Sequence, residues 1–299
     1  MPAAVLNIAL GLGLTWLLAL SGRPLRGTTL VGPWLWGIIS GVLMTLAPLA
    51  SFPTLQTDVG LTTLLTYAAG VSTLCPLVAL LGARRPQHSA WQFVVATLYA
   101  ILLVPAVQGG RVGGEIIIDA PWSWFLLALI AVGCINALFT RYWPAAGALA
   151  TGQLLLLAPY LFPITTPTWF PQQIRLLAAL GLLISTVLLL WWRATAVLKS
   201  PAWRSVEPLD RLWLDFRDAF GALWALRVLQ RVNAAASQYG WPIELTWDGF
   251  YDRVANRPAT GIPAEVRAGV EHVMRTVLWR FMSEQWMTQS LSTRPEERS

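Results

Sequence analysis

The stretch Ile174–Trp192, IRLLAALGLLISTVLLLWW, carries one charge at its start, Arg175, and two tryptophans at its end, with Arg193 directly after. A helix of this length, at about 1.5 Å per residue, rises close to the ~30 Å of a bilayer's hydrocarbon core. The run therefore predicts a transmembrane helix. It also divides the chain. Residues 1–192 hold 7 basic and 3 acidic residues, whereas 193–299 hold 14 and 12. Over all 299 residues, 56% are hydrophobic and 12% charged, with mean hydropathy +0.56. A soluble domain averages about 25% charged residues, so the first part lacks the polar surface that water requires. The composition predicts a membrane domain, 1–192, followed by a soluble tail.

Six further runs meet the same length standard, at about 3–20, 30–50, 61–82, 90–108, 122–140 and 145–163. The expected fold is an all-α, seven-helix membrane protein with a mainly helical C-terminal domain. The first run is read as a retained helix and not a cleaved leader. No basic residue precedes it, whereas Arg23 and Arg26 follow it.

Loop charges predict an orientation. Arg23 and Arg26 follow the first span, Arg84 and Arg85 the third, and Arg141 the fifth; Arg193, Lys199 and Arg204 follow the seventh. The alternate connections carry Asp58, then Arg111 with Glu115 and Asp119, and no charge between Leu161 and Ile174. The positive-inside rule then places the N-terminus outside and the tail in the cytoplasm. Of the 21 basic residues only Lys199 is lysine. That arginine bias is read as a GC-rich bacterial genome, making a bacterial inner membrane the expected location.

Headgroup anchors are expected at Arg23, Arg26, Arg84, Arg85, Arg193 and Lys199, together with Trp191 and Trp192. Trp34, Trp36, Trp91, Trp122, Trp124 and Trp143 also fall at span ends, as an interfacial belt requires. Small residues spaced by four, Gly37 with Gly41 and Ala148 with Gly152, predict close helix packing; Gly181 with Ser185 is a looser case. Pro48, Pro76, Pro105 and Pro159 are expected to bend their helices. Asn7, Asn136 and Gln153 are the polar side chains expected to bond neighbouring helices.

The spans contain no ionisable residue in their interiors, which argues against proton pumps and ion-coupled carriers. Lys199 lies beyond the last span, so a retinal Schiff base is not expected. His88 and His272 are poorly placed for haem. Cys75 and Cys134 lie in apolar runs and predict neither a disulfide framework nor zinc. No GxSxG, HExxH, GxGxxG or Gly-Lys-Ser/Thr motif occurs, so no cofactor, metal or catalytic set is assigned. Asp58, Glu115 and Asp119 could suggest a cation site, but the glycine-rich segment 109–119 reads better as a turn. A net charge of +6, split between the two parts, does not indicate nucleic acid.

Residues 193–205 read as a basic juxtamembrane linker, 206–287 as a small helical domain and 288–299 as a disordered tail. One long helix, or two hinged at Gly221, is expected from Glu207 to Tyr239. A single short strand follows at 243–247, then a loop over 252–261 and one final helix from Pro263 to about Met287. Asp210, Asp215 and Asp218 are expected on a solvated face. Trp213, Trp224 and Trp279 are expected either in the tail's core or as partner-docking residues.

These features predict a non-catalytic membrane subunit, a scaffold whose tail docks a protein partner, with the bilayer as its other partner. A permease or exporter component for apolar cargo and a seven-helix sensor are the alternatives.

Overall fold

The computed structural model describes residues 2–52, 59–85, 87–111, 116, 118–161, 170–198, 208–259 and 261–292. Seven helical runs are long and apolar enough to cross a membrane: Ala3–Leu20, Val31–Ala50, Gly60–Leu81, Ser89–Gln108, Ala120–Leu138, Trp143–Leu161 and Gln173–Trp192. These match the seven runs expected from hydropathy to within a few residues. The chain is mostly helical and is a membrane protein by these spans.

The helices are α1 (Pro2–Leu20), α2 (Val31–Ala50), α3 (Val59–Ser72), α4 (Cys75–Leu81), α5 (His88–Leu102), α6 (Val104–Arg111), α7 (Ala120–Leu138), α8 (Trp143–Leu161) and α9 (Phe170–Leu198). The third and fourth spans are each broken once. Pro76 and Pro105 occupy the first turns of α4 and α6, where their missing N–H groups leave carbonyls of the preceding turn without intrahelical donors. At the first break the Gln153 amide of α8 donates to the Thr73 carbonyl at 2.8 Å. Pro48 and Pro159 sit near the ends of α2 and α8 and are absorbed within the helices.

The third span is the centre of the bundle, 61% of it buried against 17–33% of the others. Tyr67, Val71 and Leu74 pack with Leu102, Leu126, Ile130 and Leu157 on one side. Ala69 packs with Leu14, Met44, Leu156, Ala178 and Leu182 on the other.

Small residues bring two helix pairs into backbone contact. Against Gly41, an added Cβ would lie 2.5 Å from Thr15 Oγ1; against Gly11 it would lie 2.6 Å from Thr45 Oγ1. Each threonine returns its hydroxyl to the glycine carbonyl one turn earlier, Thr15 to Gly11 and Thr45 to Gly41. The α1–α2 crossing is thus a reciprocal pair of Gly-x-x-x-Thr steps, of which the Gly37–Gly41 spacing marks only Gly41. Gly37 is packed more loosely, where an added Cβ would lie 3.5 Å from Leu18 Cδ1. In the α8–α9 pair, a Cβ added at Gly181 would lie 3.2 Å from Gly152 Cα and 3.4 Å from the Ala148 carbonyl, and Ser185 donates to the Ala145 carbonyl.

The tail contains α10 (Pro208–Phe220), α11 (Ala222–Gln238), a three-stranded antiparallel sheet and α12 (Ala264–Leu278) with α13 (Glu284–Ser292). The strands β1 (Ile243–Thr246), β2 (Gly249–Asp252) and β3 (Arg257–Pro258) run in that order. Its core holds Trp213, Phe216, Phe220, Trp224, Val228, Ile243, Leu245, Phe250, Met274 and Phe281. Asn233 of α11 extends this core into the sheet. Its amide donates to the Leu245 carbonyl at 2.8 Å and accepts from the Leu245 N–H at 2.7 Å, as a neighbouring strand would.

Several expectations for the tail are corrected. The isolated strand has partners, because Thr246 pairs with Gly249 across a two-residue connection, Trp247-Asp248. Gly249 takes φ +134, which a side chain would resist, so Asp248-Gly249 was an available hairpin signal. Of the two readings of 207–239, two helices hinged at Gly221 is the one observed, with Gly221 at φ +79 and ψ −179. The final helix also divides, at Trp279–Ser283, and resumes to Ser292. No glycine or proline causes that second break; its backbone is paired elsewhere, as follows.

Candidate functional site

The site is the seam where the tail meets one end of the bundle. Three connections between spans contribute to it, and each is a connection whose charge is basic. In the first, Gly27, Thr28 and Thr29 form a short edge against the break between α12 and α13. Thr29 N–H donates to the Phe281 carbonyl at 2.8 Å, and Ser283 N–H donates to the Gly27 carbonyl at 2.7 Å. Thr29 Oγ1 donates onward to the Ala83 carbonyl at 2.7 Å. Gly27 has φ +85, and a Cβ there would lie 2.7 Å from Ser283 Oγ, so only glycine fits this approach.

The second connection, between α4 and α5, buries Ala83 in the tail's core. Arg85 N–H donates to the Arg280 carbonyl, and Trp224 Nε1 donates to the Leu80 carbonyl at 3.1 Å. The break at Trp279–Ser283 therefore exists because loops from two other parts of the chain take its backbone groups. Buried backbone donors and acceptors must find partners, and here those partners lie across the seam.

The third contact uses Asn136 in the last turn of α7. Its Oδ1 accepts from the Leu223 N–H at 3.0 Å, and its Nδ2 donates to the Phe220 carbonyl at 3.3 Å. The first N–H groups of a helix need a cap, and α11 has no capping side chain of its own. A side chain of the bundle caps it instead. Gly221 makes this possible, since a Cβ there would lie 2.2 Å from Asn136 Nδ2.

Beyond Asn136 lies a charged cluster. Arg141 is 3.2 Å from Asp215 and 3.2 Å from Asp218, and its backbone N–H donates to Asp218 Oδ1 at 3.2 Å. Its Nε faces Asp218 Oδ2 at ion-pair distance but at an angle that makes no hydrogen bond. Arg217 pairs with Asp218 at 3.0 Å and with Asp248 at 3.5 Å, and lies over the Trp247 ring. Trp247 Nε1 in turn donates to the Phe139 carbonyl of the bundle at 3.0 Å. Burial opposes the charge of Arg141, but Tyr142, Asp215 and Asp218 together outweigh it and hold the guanidinium above its ordinary value.

The acidic residues of α10 were expected on a solvated face, and two are buried instead. Asp218 anchors the two arginines, and Asp210 Oδ1 accepts from the Phe250 N–H at 2.7 Å. A carboxylate survives burial when charge or N–H donors surround it, and both conditions hold here.

Among the expected docking residues, Trp213 and Trp224 are enclosed in the tail's core and offer no surface to a partner. Trp279 is 47% exposed. Arg23 and Arg26 are exposed, while Arg84 and Arg85 are half-buried. Trp191 is exposed, with its ring 5.8 Å from that of Trp192. The side chain of Arg193 and all of Lys199, Arg204, Asp58 and Glu115 lie outside the described residues.

Two hollows open along the seam. The larger, of about 470 Å³, is an apolar groove lined by Val132, Ile135 and Phe139 of the fifth span's end and by Leu223, Leu226 and Trp247 of the tail. The smaller, of about 210 Å³, is lined by Arg84, Arg85, Gln87, Trp279 and Arg280. Among the described residues, no group of three His, Cys, Asp or Glu side chains converges as a metal site would require. Comparison with protein-family models, with curated proteins and with solved structures finds no match for this chain.

Proposed function

We propose that this chain is a non-catalytic integral-membrane subunit that holds a partner protein at the membrane face, its tail serving as a fixed part of the docking surface. The apolar groove between α7 and α11 carries this reading. Val132, Ile135 and Phe139 belong to the lipid-facing end of a span, and Leu223 and Leu226 continue that apolar surface onto the tail. A partner whose own membrane helix continues into a juxtamembrane apolar segment would cover both at once. In this proposal the membrane is a bacterial inner membrane, and the seam faces the cytoplasm because its connections carry the arginines.

The permease alternative calls for a hollow between spans that cargo could follow. The two hollows described above lie at the seam, where a docked partner can use them.

Capture of the full chain in mild detergent tests the proposal, with Leu226→Asp as the comparison. Leu226 is exposed on α11, so the substitution leaves the tail's core intact. A membrane partner recovered with the native chain and lost with the variant is the expected result. A lone, monodisperse monomer from both preparations would sink the idea. Orientation is tested separately by Ser237→Cys, which should react with an impermeant maleimide only after the cells are opened.

A further inference from the structure

We infer that Arg84, Arg85, Arg280 and Trp279 form a binding site for a phosphate group, that of an anionic phospholipid headgroup or of a free phosphate. The inference begins with charge balance. In the tail and its seam, Arg141, Arg217, Arg253 and Arg275 each lie within 4 Å of a carboxylate, whereas Arg227, Arg231 and Arg257 stand apart on the surface without one among the described residues. Arg84, Arg85 and Arg280 line one hollow of about 210 Å³, and no carboxylate of the described residues pairs with any of them.

The fold brings these three arginines to one hollow from distant parts of the chain. Arg280 comes from the break between α12 and α13, nearly two hundred residues after Arg84 and Arg85, and the Arg85 N–H bond to the Arg280 carbonyl fixes the two segments together. One guanidinium edge of Arg85 is held by the Gly27 carbonyl at 3.1 Å. Arg84 is steadied by Gln87, whose Oε1 accepts from Nε at 3.2 Å and from Nη2 at 2.8 Å. Each keeps further N–H donors free, since a guanidinium has five. Three positive groups at one hollow repel each other unless an anion neutralises them, and planar guanidinium forks suit phosphate oxygens.

Position indicates where the phosphate comes from. Arg84, Arg85 and Gln87 lie in the connection between the third span, which ends at Leu81, and the fourth, which starts at Ser89, where a spanning chain meets the headgroups. Trp279, half-exposed beside them, suits that same interfacial layer. A phospholipid can put its phosphate in the hollow while its chains remain among the spans. The site would select an anionic lipid, because the quaternary ammonium of phosphatidylcholine would meet the same three arginines.

This inference rests on the membrane setting of the proposed function but not on its partner or its orientation. The test is therefore run on the purified full chain in nonionic detergent. Thermal unfolding is followed by circular dichroism while phosphatidylglycerol, phosphatidylcholine or inorganic phosphate is added, and native mass spectrometry counts retained lipid. Binding to the folded state alone raises Tm, by an amount that grows with the logarithm of ligand concentration above Kd. Phosphatidylglycerol should raise Tm and be retained, whereas phosphatidylcholine should do neither. Arg84→Gln with Arg280→Gln should raise the apparent Kd for the lipid, from retained lipid and from the Tm shifts, about tenfold or more, and Arg231→Gln, an exposed arginine of α11, should change it less than about twofold. If inorganic phosphate stabilises with the same dependence on Arg84 and Arg280 and phosphatidylglycerol adds nothing, the source is free phosphate. Equal apparent Kd for the native chain and the double variant overturns the site. So does equal stabilisation by phosphatidylcholine, or no shift and no retention with any of the three probes.

Discussion

Two groups of arginines lie on the same seam and are handled in opposite ways. Arg141 and Arg217 are surrounded by Asp215, Asp218 and Asp248, with Asp218 only 2% exposed between them. Arg84, Arg85 and Arg280 share a hollow with no carboxylate of the described residues. Both groups join a basic connection of the bundle to the tail, and by the positive-inside rule both would be read only as loop charges. The difference lies in what the tail brings to each. At Arg141 it brings acids, so the charge is spent inside the protein and acts as a clamp. At Arg84 and Arg85 it brings a third arginine, so the charge stays available to something outside. Loop charge alone therefore does not say whether an arginine serves the fold or a ligand.

The sharpest way to break this comparison is to remove the shared acid. Asp218→Ala leaves Arg141 and Arg217 without their common partner in a half-buried setting. Breaking a buried pair on one side costs about 3–5 kcal/mol, largely from the charge left behind. Tm in detergent should fall by many degrees, and limited proteolysis should cut the tail before the spans. An unchanged Tm would mean that the cluster is no clamp.

The next largest effect is expected where the bundle caps α11. Gly221 has φ +79 and ψ −179, a region open almost only to glycine, at a cost of roughly 1–3 kcal/mol to other residues. Gly221→Ala adds that strain to a collision with Asn136. In a double-mutant cycle, Asn136→Ala alone should destabilise by about 1–2 kcal/mol, but should cost less on the Gly221→Ala background because the collision is relieved. Strict additivity would show that the two residues do not act together.

A smaller effect follows from pH. Arg141 is held above its ordinary value, so its contribution is complete below the unfolded-state pKa and is lost only as pH rises through the higher folded value. That window lies beyond mildly alkaline conditions, and the native seam should be equally stable at pH 7 and pH 10. Arg141→Lys puts a group of ordinary pKa about 10.4 in its place. The variant's Tm should hold up to about pH 10 and fall relative to the native chain as pH rises above about 10.4, and parallel profiles would show that this charge does not matter.

The parts of this molecule that were legible in sequence are those governed by one-dimensional rules. Span length and apolar composition follow from bilayer thickness, so the seven runs could be placed without knowing any contact. The seam follows no such rule. Thr29 bonds Phe281 at a separation of 252 residues, Arg141 pairs with Asp215 at 74, and Asn136 caps Leu223 at 87. Asp218 looked like one charge of a solvated face because its partner lay in a loop between spans. Asn136 was noticed as a polar residue in a span, and Gly221 as a hinge, but nothing local links them. The break at Trp279–Ser283 carries no glycine or proline and left no local mark. Only the hairpin had a readable signal, Asp248-Gly249 before Phe250.

The smallest effect is also the one that separates the two arginine groups most cleanly. Arg280 is exposed and belongs to the group without carboxylates. Arg280→Gln removes one of three like charges at the hollow, which relieves repulsion, and breaks no ion pair of the described residues. Surface changes of this kind fall within about ±0.5 kcal/mol. In lipid-free detergent and buffer without phosphate, Tm should stay level or rise slightly, in contrast to the fall for Asp218→Ala. With phosphatidylglycerol present the sign should reverse, since the native chain gains a bound anion that the variant holds less well. An arginine that served the fold would show the same loss under both conditions. One that serves a ligand shows its loss only when the ligand is there.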